Sequence, residues 1–320
     1  MSNPSPATSL PTRRLGDSDL EVSLVGLGCN NFGRRLDLDG TAAVLDAALA
    51  VGITFFDTAD IYGGAGASER LMGEALRGRR EEYLVATKFG MEMGGAEGVP
   101  DAARGSREYI RWAVEGSLGR LGVERIDLYQ YHEPDGTTPI GETLAALDEG
   151  VVRAIGCSNF SAAELEEADR LAGENGWARF VSVQNEYSLL RRGIEAEVMP
   201  AAERLGISVL PFFPLASGLL TGKYRRGEAA PPGTRLAGRE SAGSEADFEV
   251  VEALRGFAEE RGIEPIDVAI GALAARPAVA SVIAGATKPE QIEANVGALE
   301  WRPSAEDLAE IDRIAPDKRL

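Results

Sequence analysis

The chain has 320 residues, 44% of them hydrophobic and 26% charged, enough apolar material to bury a sizeable core and too much for a disordered protein. Fifty-one acidic residues against thirty-three basic ones give a formal net charge of −18, which argues against general affinity for nucleic acid or an anionic membrane. One histidine, His132, rules out a multi-histidine metal site, so no metal is expected, and the two cysteines, Cys29 and Cys157, have no redox or metal spacing.

The first residues, 1–11, form a Ser/Pro/Asn-rich leader without a basic-then-apolar signal pattern. No apolar run approaches membrane-spanning length, so a cytoplasmic protein is expected. A single domain over 12–320 follows. It opens with a β-hairpin, 12–15 and 20–23, flanking Gly16-Asp17-Ser18-Asp19.

Eight short apolar segments then read as strands: 24–27, 53–56, 83–87, 126–131, 152–155, 180–184, 208–211 and 279–283. Between and after them, apolar residues at three- and four-residue spacing predict helices over 41–51, 68–76, 106–121, 140–149, 161–175, 194–205, a longer region 246–275, and 289–299. Thr41, Ser68, Ser106 and Ser161 are candidate N-caps, the last with Glu164 in a capping box. Eight strand-then-helix units predict an α/β fold, a single (β/α)8 TIM barrel. The first strand runs into Gly26-Leu27-Gly28-Cys29-Asn30-Asn31-Phe32-Gly33, which lacks the glycine spacing of a doubly wound dinucleotide fold. The long segment 212–245 after the seventh strand, rich in Gly, Pro, Ser and Arg, reads as a ligand-covering loop; the alternative is a dispensable insertion.

In such a barrel, chemistry collects at the carboxyl ends of the strands. The second strand ends at Asp57, with Tyr62 in its loop; the third ends at Lys88 and the fourth at His132. Taken singly, Asp57 could cap a turn, Tyr62 could pack against a helix, Lys88 could be solvated and His132 structural. Together they form a proton-donating set. An ammonium next to a phenol favours the phenolate and is expected to lower the Tyr62 pKa. Asp57 would hold that ammonium charged, and His132 could donate a hydrogen bond to a substrate oxygen. The set suits protonation of the alkoxide that develops as a carbonyl accepts hydride.

The pattern Asp57, Tyr62, Lys88, His132 resembles the catalytic tetrad of the aldo-keto reductase family, bacterial members and potassium-channel β-subunit-like reductases in particular. The resemblance runs from about Arg13 to about Arg313. It extends to Phe56-Asp57-Thr58-Ala59-Asp60-Ile61-Tyr62-Gly63, Ala86-Thr87-Lys88-Phe89-Gly90, Ile155-Gly156-Cys157-Ser158-Asn159-Phe160, and to the segments 214–224 and 285–291. It implies NAD(P)H-dependent reduction of aldehydes or ketones, with NADPH as cofactor and NADH also possible.

Carried over by resemblance, Ser158, Asn159 and Gln184 hold the nicotinamide carboxamide, and Phe212 stacks on its ring, unless Phe212 is plain core. Pro214, Leu215, Ser217, Gly218 and Lys223 cross the pyrophosphate. Gly285, Thr287, Lys288, Gln291 and Asn295 take the adenosine end, at a helix N-terminus suited to an anion. Cys29, Asn30 and Asp57 complete the cofactor set, and Asn30, Tyr62, Phe89 and His132 face the substrate, a small carbonyl compound. The chain departs from the family pattern at Ala284, at Ala294, at Gly285 and Gln291 where some members place Lys and Arg, and at Asn30. Lys288 is the nearest substitute cation for a 2′-phosphate. Other readings are an NAD-dependent sugar (aldose) dehydrogenase, a cofactor-sensing regulatory subunit, and a Schiff-base enzyme using Lys88. The oligomeric state, a homo-oligomer included, stays open.

Overall fold

The computed structural model describes residues 10–150, 152–238 and 243–317, so most of the leader and a short part of the long loop lie outside the described residues. The hairpin is present: β1 (Thr12–Arg14) pairs antiparallel with β2 (Glu21–Ser23). The eight expected strands follow as β3 (Val25–Gly28), β4 (Phe55–Asp57), β5 (Leu84–Phe89), β6 (Ile126–Tyr131), β7 (Val152–Ser158), β8 (Phe180–Gln184), β9 (Ser208–Val209) and β10 (Val282–Gly285). They form one parallel sheet in the order β10-β3-β4-β5-β6-β7-β8-β9. The sheet curls until its edges meet. Val209 N–H donates to the Ala278 carbonyl at 2.7 Å and Ile283 N–H to the Pro211 carbonyl at 3.1 Å, so short parallel bridges link the β9 and β10 segments. This arrangement is consistent with a (β/α)8 barrel.

Alternation along each strand builds the interior in layers. Phe55, Ala86 and Leu128 point inward and join Ala154, Leu210 and Ile283 in one apolar cluster. Leu15, Leu20 and Val22 of the hairpin belong to the same cluster, and Gly16 N–H donates to Ser208 Oγ at the start of β9. The hairpin is therefore the floor under the strands' amino ends. Two residues further along the same faces come Asp57, Lys88 and Gln130, so the apolar layer is overlaid by a polar one. A second, larger apolar cluster lies between the sheet and the helices.

The helices are α1 (Leu38–Ala50), α2 (Ala67–Ala75), α3 (Arg107–Leu121), α4 (Ile140–Asp148), α5 (Ala162–Asn175), α6 (Val198–Leu205), α7 (Glu245–Arg261), α8 (Pro265–Ala274), α9 (Pro289–Gly297) and α10 (Ala305–Ile314). Ser106 caps α3, and Ser161 with Glu164 forms the expected capping box on α5. Two other expected caps are corrected. Helix α1 starts earlier, on Asp37, whose carboxylate accepts from Gly40 N–H, and Thr41 is buried inside it. Helix α2 starts from Gly66, and Ser68 is an interior residue donating its hydroxyl to the Cys29 carbonyl.

The single long region expected over 246–275 is two helices. Gly262, at φ 65°, ends α7 in the left-handed conformation that costs glycine little, and Pro265 starts α8. Helix α10 was not expected. Its signals, a capping box from Ser304 to Asp307 and apolar residues Leu308, Ile311 and Ile314 at three-residue spacing, are in the sequence, although Ile311 is the only one of its residues that is buried. No helix among the described residues is long and apolar enough to cross a membrane.

Candidate active site

The strand ends open into a cavity of about 910 Å3. Asp57, the last residue of β4, is 2% exposed and Lys88 of β5 is fully buried. Lys88 Nζ donates to Asp57 Oδ2 at 2.6 Å, to the Thr58 carbonyl at 2.9 Å and to Tyr62 Oη at 3.5 Å. The other carboxylate oxygen, Oδ1, accepts from Gln130 Nε2 at 3.0 Å and Gln184 Nε2 at 2.9 Å. Asp57 is thus held from three strands. His132 sits just past β6, its ring edge-on to that of Tyr62 with centroids 5.8 Å apart. Tyr62 and His132 line the cavity, with Lys88 behind them.

Electrostatics separate these groups. Burial alone would lower the Lys88 pKa, but Asp57 and then Tyr62 outweigh it, and the pKa lies above its ordinary value. Burial, and next the Lys88 charge, hold His132 well below the ordinary histidine range, so its imidazole is neutral at pH 7. The expected lowering of the Tyr62 pKa is corrected. Lys88 does pull it down, but burial is the larger effect and the phenol lies above its ordinary value of 10.0. Tyr62 is therefore protonated at neutral pH.

The amide and hydroxyl set expected for a carboxamide converges beside this group. Ser158 Oγ donates to the Gln184 carbonyl at 2.7 Å, and Asn159 Nδ2 donates to the His132 carbonyl at 3.0 Å and to Ser158 Oγ at 3.2 Å. Asn159 adopts a left-handed backbone, φ 61°, a conformation strained for a side chain with a Cβ. Phe212 lines the cavity, with its ring edge-on to that of Phe213 at 5.3 Å.

The loop after β9 borders the same cavity through Pro214, Leu215, Ser217, Gly218 and Lys223. Phe213, Ala216 and Ser217 all have positive φ, at 53°, 46° and 58°, a concentration of strain that a binding loop sustains when its neighbours fix it. Cys29 and Asn30, just past β3, line the cavity, Cys29 N–H donating to the Asp57 carbonyl at 2.8 Å, and Gly285, Thr287, Lys288, Gln291 and Asn295 line the far end. There Gln291 Oε1 accepts from Thr287 N–H at 2.7 Å, pinning the entry to α9. Asn295 is 2% exposed, and its Nδ2 has no partner among the described residues.

One expected substrate residue is corrected. Phe89 is fully buried, stacked between Tyr129 and Tyr131 at 4.9 and 5.0 Å, and does not border the cavity. Alternation explains it, since Lys88 takes the inward position and Phe89 must face the helices. Met91, two residues on, borders the cavity instead.

Sequence reasoning also missed Gln130, which holds Asp57, and Asn31, whose Nδ2 donates to the Ala286 carbonyl across the β3–β10 seam at 3.1 Å. It missed Arg35 as well, whose Nη2 donates to the carbonyls of Gly233 and Thr234 at 3.1 and 3.3 Å. Gln130 was legible as the inward residue two before His132. Arg35 was not, because its partners are backbone carbonyls about 200 residues away.

The family model for the aldo/keto reductase family matches residues 24–316, nearly the whole chain. The chain belongs to the aldo/keto reductase family. It is an oxidoreductase, and the family's members use NAD(P)H. Among its relatives, a probable aldo-keto reductase 1 of Glycine max is 35% identical over 316 residues, covering 95% of this chain and 88% of that protein. A probable voltage-gated potassium channel subunit beta of Oryza sativa subsp. japonica is 35% identical, covering 96% and 97%. The L-glyceraldehyde 3-phosphate reductase of Escherichia coli O157:H7 is 32% identical, covering 100% and 96%.

The site fits a nicotinamide dinucleotide. The cavity is of the right order of volume, with amide and hydroxyl groups near Tyr62. It is also lined by Lys288 at a helix N-terminus and by Asn295, whose buried amide nitrogen has no partner among the described residues.

Proposed function

We propose that this aldo/keto reductase reduces aldehydes or ketones to alcohols at Tyr62, with NADPH as preferred cofactor and NADH also accepted. The observation that carries the reading is the chain of contacts from Asp57 through Lys88 to Tyr62 Oη, ending at the cavity beside a neutral imidazole. A single catalytic domain over 12–320, a closed (β/α)8 barrel whose long loop after β9 covers the cofactor, is the fold that goes with it.

Bound in the cavity, the dinucleotide supplies the hydride that reaches the carbonyl carbon. As that carbon gains the hydride, its oxygen takes up charge, and Tyr62 Oη–H is the proton donor that converts it to the alcohol. Lys88 stabilises the phenolate left behind, which recovers its proton from solvent. Asp57 keeps the ammonium charged and in place. His132, being neutral, orients the carbonyl by hydrogen bonding rather than by charge. Ser158, Asn159 and Gln184 would hold the carboxamide, and Phe212 would stack on the nicotinamide ring. Asn30 and Met91 border the substrate side.

Lys288 supports binding of a 2′-phosphate, whereas Glu264 and Glu290 line the same cavity and oppose a dianion, which limits discrimination against NADH. The Escherichia coli relative's name supports small aldehydes as the substrate class. Loss of NADPH-dependent turnover in Tyr62→Phe, with cofactor binding intact, is the test.

A further inference from the structure

On the other face of β5 from Lys88 lies a second buried set of charges. Lys88 and Thr87 are successive residues of one strand, so their side chains leave opposite faces. Thr87 Oγ1 donates to Glu69 Oε1 at 2.5 Å, and Glu69 Oε2 accepts from Arg120 Nε of α3 at 2.6 Å. Glu69 is fully buried. Two glycines make room for the guanidinium: a Cβ at Gly66 would meet Arg120 Nε at 2.3 Å, and one at Gly116 would meet Nη1 at 2.8 Å.

Asp60, on the loop that carries Tyr62, is fully buried beside this set. Neither of its carboxyl oxygens has a hydrogen-bond partner among the described residues. The Tyr129 hydroxyl, on the register partner of Thr87, is buried and likewise without one. An Asp60 carboxylate here would be poorly compensated, because Arg120 is engaged by Glu69 and Lys88 by Asp57. The groups bearing on it are Glu69 of α2, Arg120 and Tyr109 of α3, Lys88 of β5 and Tyr129 of β6. Burial and then Glu69 raise its pKa well above the carboxylate range, against the pull of Arg120, of the neighbouring Ile61 backbone N–H and of Lys88.

The loop is laid along β5 by backbone bonds. Thr58 N–H donates to the Ala86 carbonyl, Asp60 N–H to the Lys88 carbonyl, and Ser68 N–H to the Tyr62 carbonyl. Asp60 is therefore the buried anchor of the segment that aims Tyr62.

We propose that Asp60 is a positioning residue for this reaction, held as the neutral acid behind β5, where it fixes the 58–62 loop and the approach of Tyr62 Oη to Lys88. The inference rests on Tyr62 being the proton donor, but the protonation state of Asp60 can be read without turnover, so the two ideas fail separately.

The infrared difference spectrum of wild type against Asp60→Asn at pH 7 is expected to contain the carbonyl band of a protonated carboxylic acid. A difference spectrum with carboxylate bands alone would overturn the proposal. Asp60→Asn, which keeps a neutral group of the same shape, is expected to retain kcat to within about threefold, whereas Asp60→Ala loses about tenfold or more with little change in cofactor Kd. Equal losses in the two variants, or a change confined to KM, would contradict a positioning role. Should Asp60→Ala fail to fold, the spectrum and the Asn variant still decide the question.

Discussion

Lys88 Nζ lies 2.6 Å from Asp57 Oδ2, and the lysine side chain has no solvent exposure. A buried ion pair of this kind contributes modestly as a pair, but removal of either partner leaves the other charge stranded. Lys88→Ala is therefore expected to lower unfolding free energy by about 3–5 kcal/mol, read from urea titration of wild type and variant. Replacement of both partners by apolar residues should recover part of that loss while leaving the protein inactive. A double variant no more stable than the single one would count against the ion-pair account.

The pH behaviour follows from Tyr62 and His132. Both would be in one protonation state from about pH 6 to 9, since the phenol is raised above 10.0 and the imidazole is depressed below 6.5. Reductive kcat is expected to be flat across that range and to fall only at the alkaline end, as Tyr62 loses its proton. For stability, a depressed folded-state histidine means that the unfolded chain binds the extra proton. Folding free energy should therefore weaken as pH falls below about 6.5, by at most ~1.4 kcal/mol per pH unit from this group. His132 is the sole histidine, so its imidazole resonances can be followed without ambiguity. A titration near 6.5 in the folded protein would refute the assignment.

Arg35 ties the end of β3 to the loop after β9 through the Gly233 and Thr234 carbonyls. Its removal should let that loop open more readily. Arg35→Ala is expected to raise the cofactor dissociation rate about threefold to tenfold, the scale of one or two net hydrogen bonds, with kcat for chemistry unchanged. Stopped-flow displacement measures it, and an unaltered rate would show that the tie does not govern release.

Lys288 precedes α9 and borders the cavity's far end. Lys288→Ala is expected to weaken NADPH binding by about tenfold or more and NADH binding by less than twofold, since a charge-assisted bond to phosphate is lost only in the first case. Titration calorimetry with both nucleotides checks it. Equal effects on the two would remove Lys288 from the 2′-phosphate site.

Much of this architecture was legible in the sequence because local signals agreed. Five of the eight strands, 24–27, 53–56, 83–87, 126–131 and 180–184, were bounded on both sides by polar or glycine residues, and Ser106 and Ser161 stood where helices begin. Their places at the carboxyl ends of three consecutive strands also made Asp57, Lys88 and His132 readable as neighbours. The misreadings have physical causes. Ser68, a good capping residue, gives its hydroxyl to the Cys29 carbonyl instead, Thr41 is buried inside α1 with Asp37 taking the cap, and Gly262 with Pro265 splits a continuous apolar pattern. Phe89 was misplaced because the inward position on β5 belongs to Lys88. The Tyr62 pKa went the other way because burial, which a sequence does not reveal, exceeds the pull of one ammonium. Gln130 had a signal, two residues before His132 on the same face of β6, whereas Arg35 acts through backbone carbonyls that only the folded chain brings near.

The proposed reaction depends on Tyr62 as the proton donor in carbonyl reduction. Its most direct test is to mix the protein with NADPH and a reactive aromatic aldehyde and follow cofactor absorbance, with wild type and Tyr62→Phe side by side. Wild type is expected to consume NADPH well above the protein-free rate, and the variant to lose about 100-fold or more in kcat while retaining its NADPH affinity. Equal turnover by the two proteins would contradict the assignment of Tyr62. Tight NADPH binding by wild type with no turnover would instead favour a cofactor-sensing role.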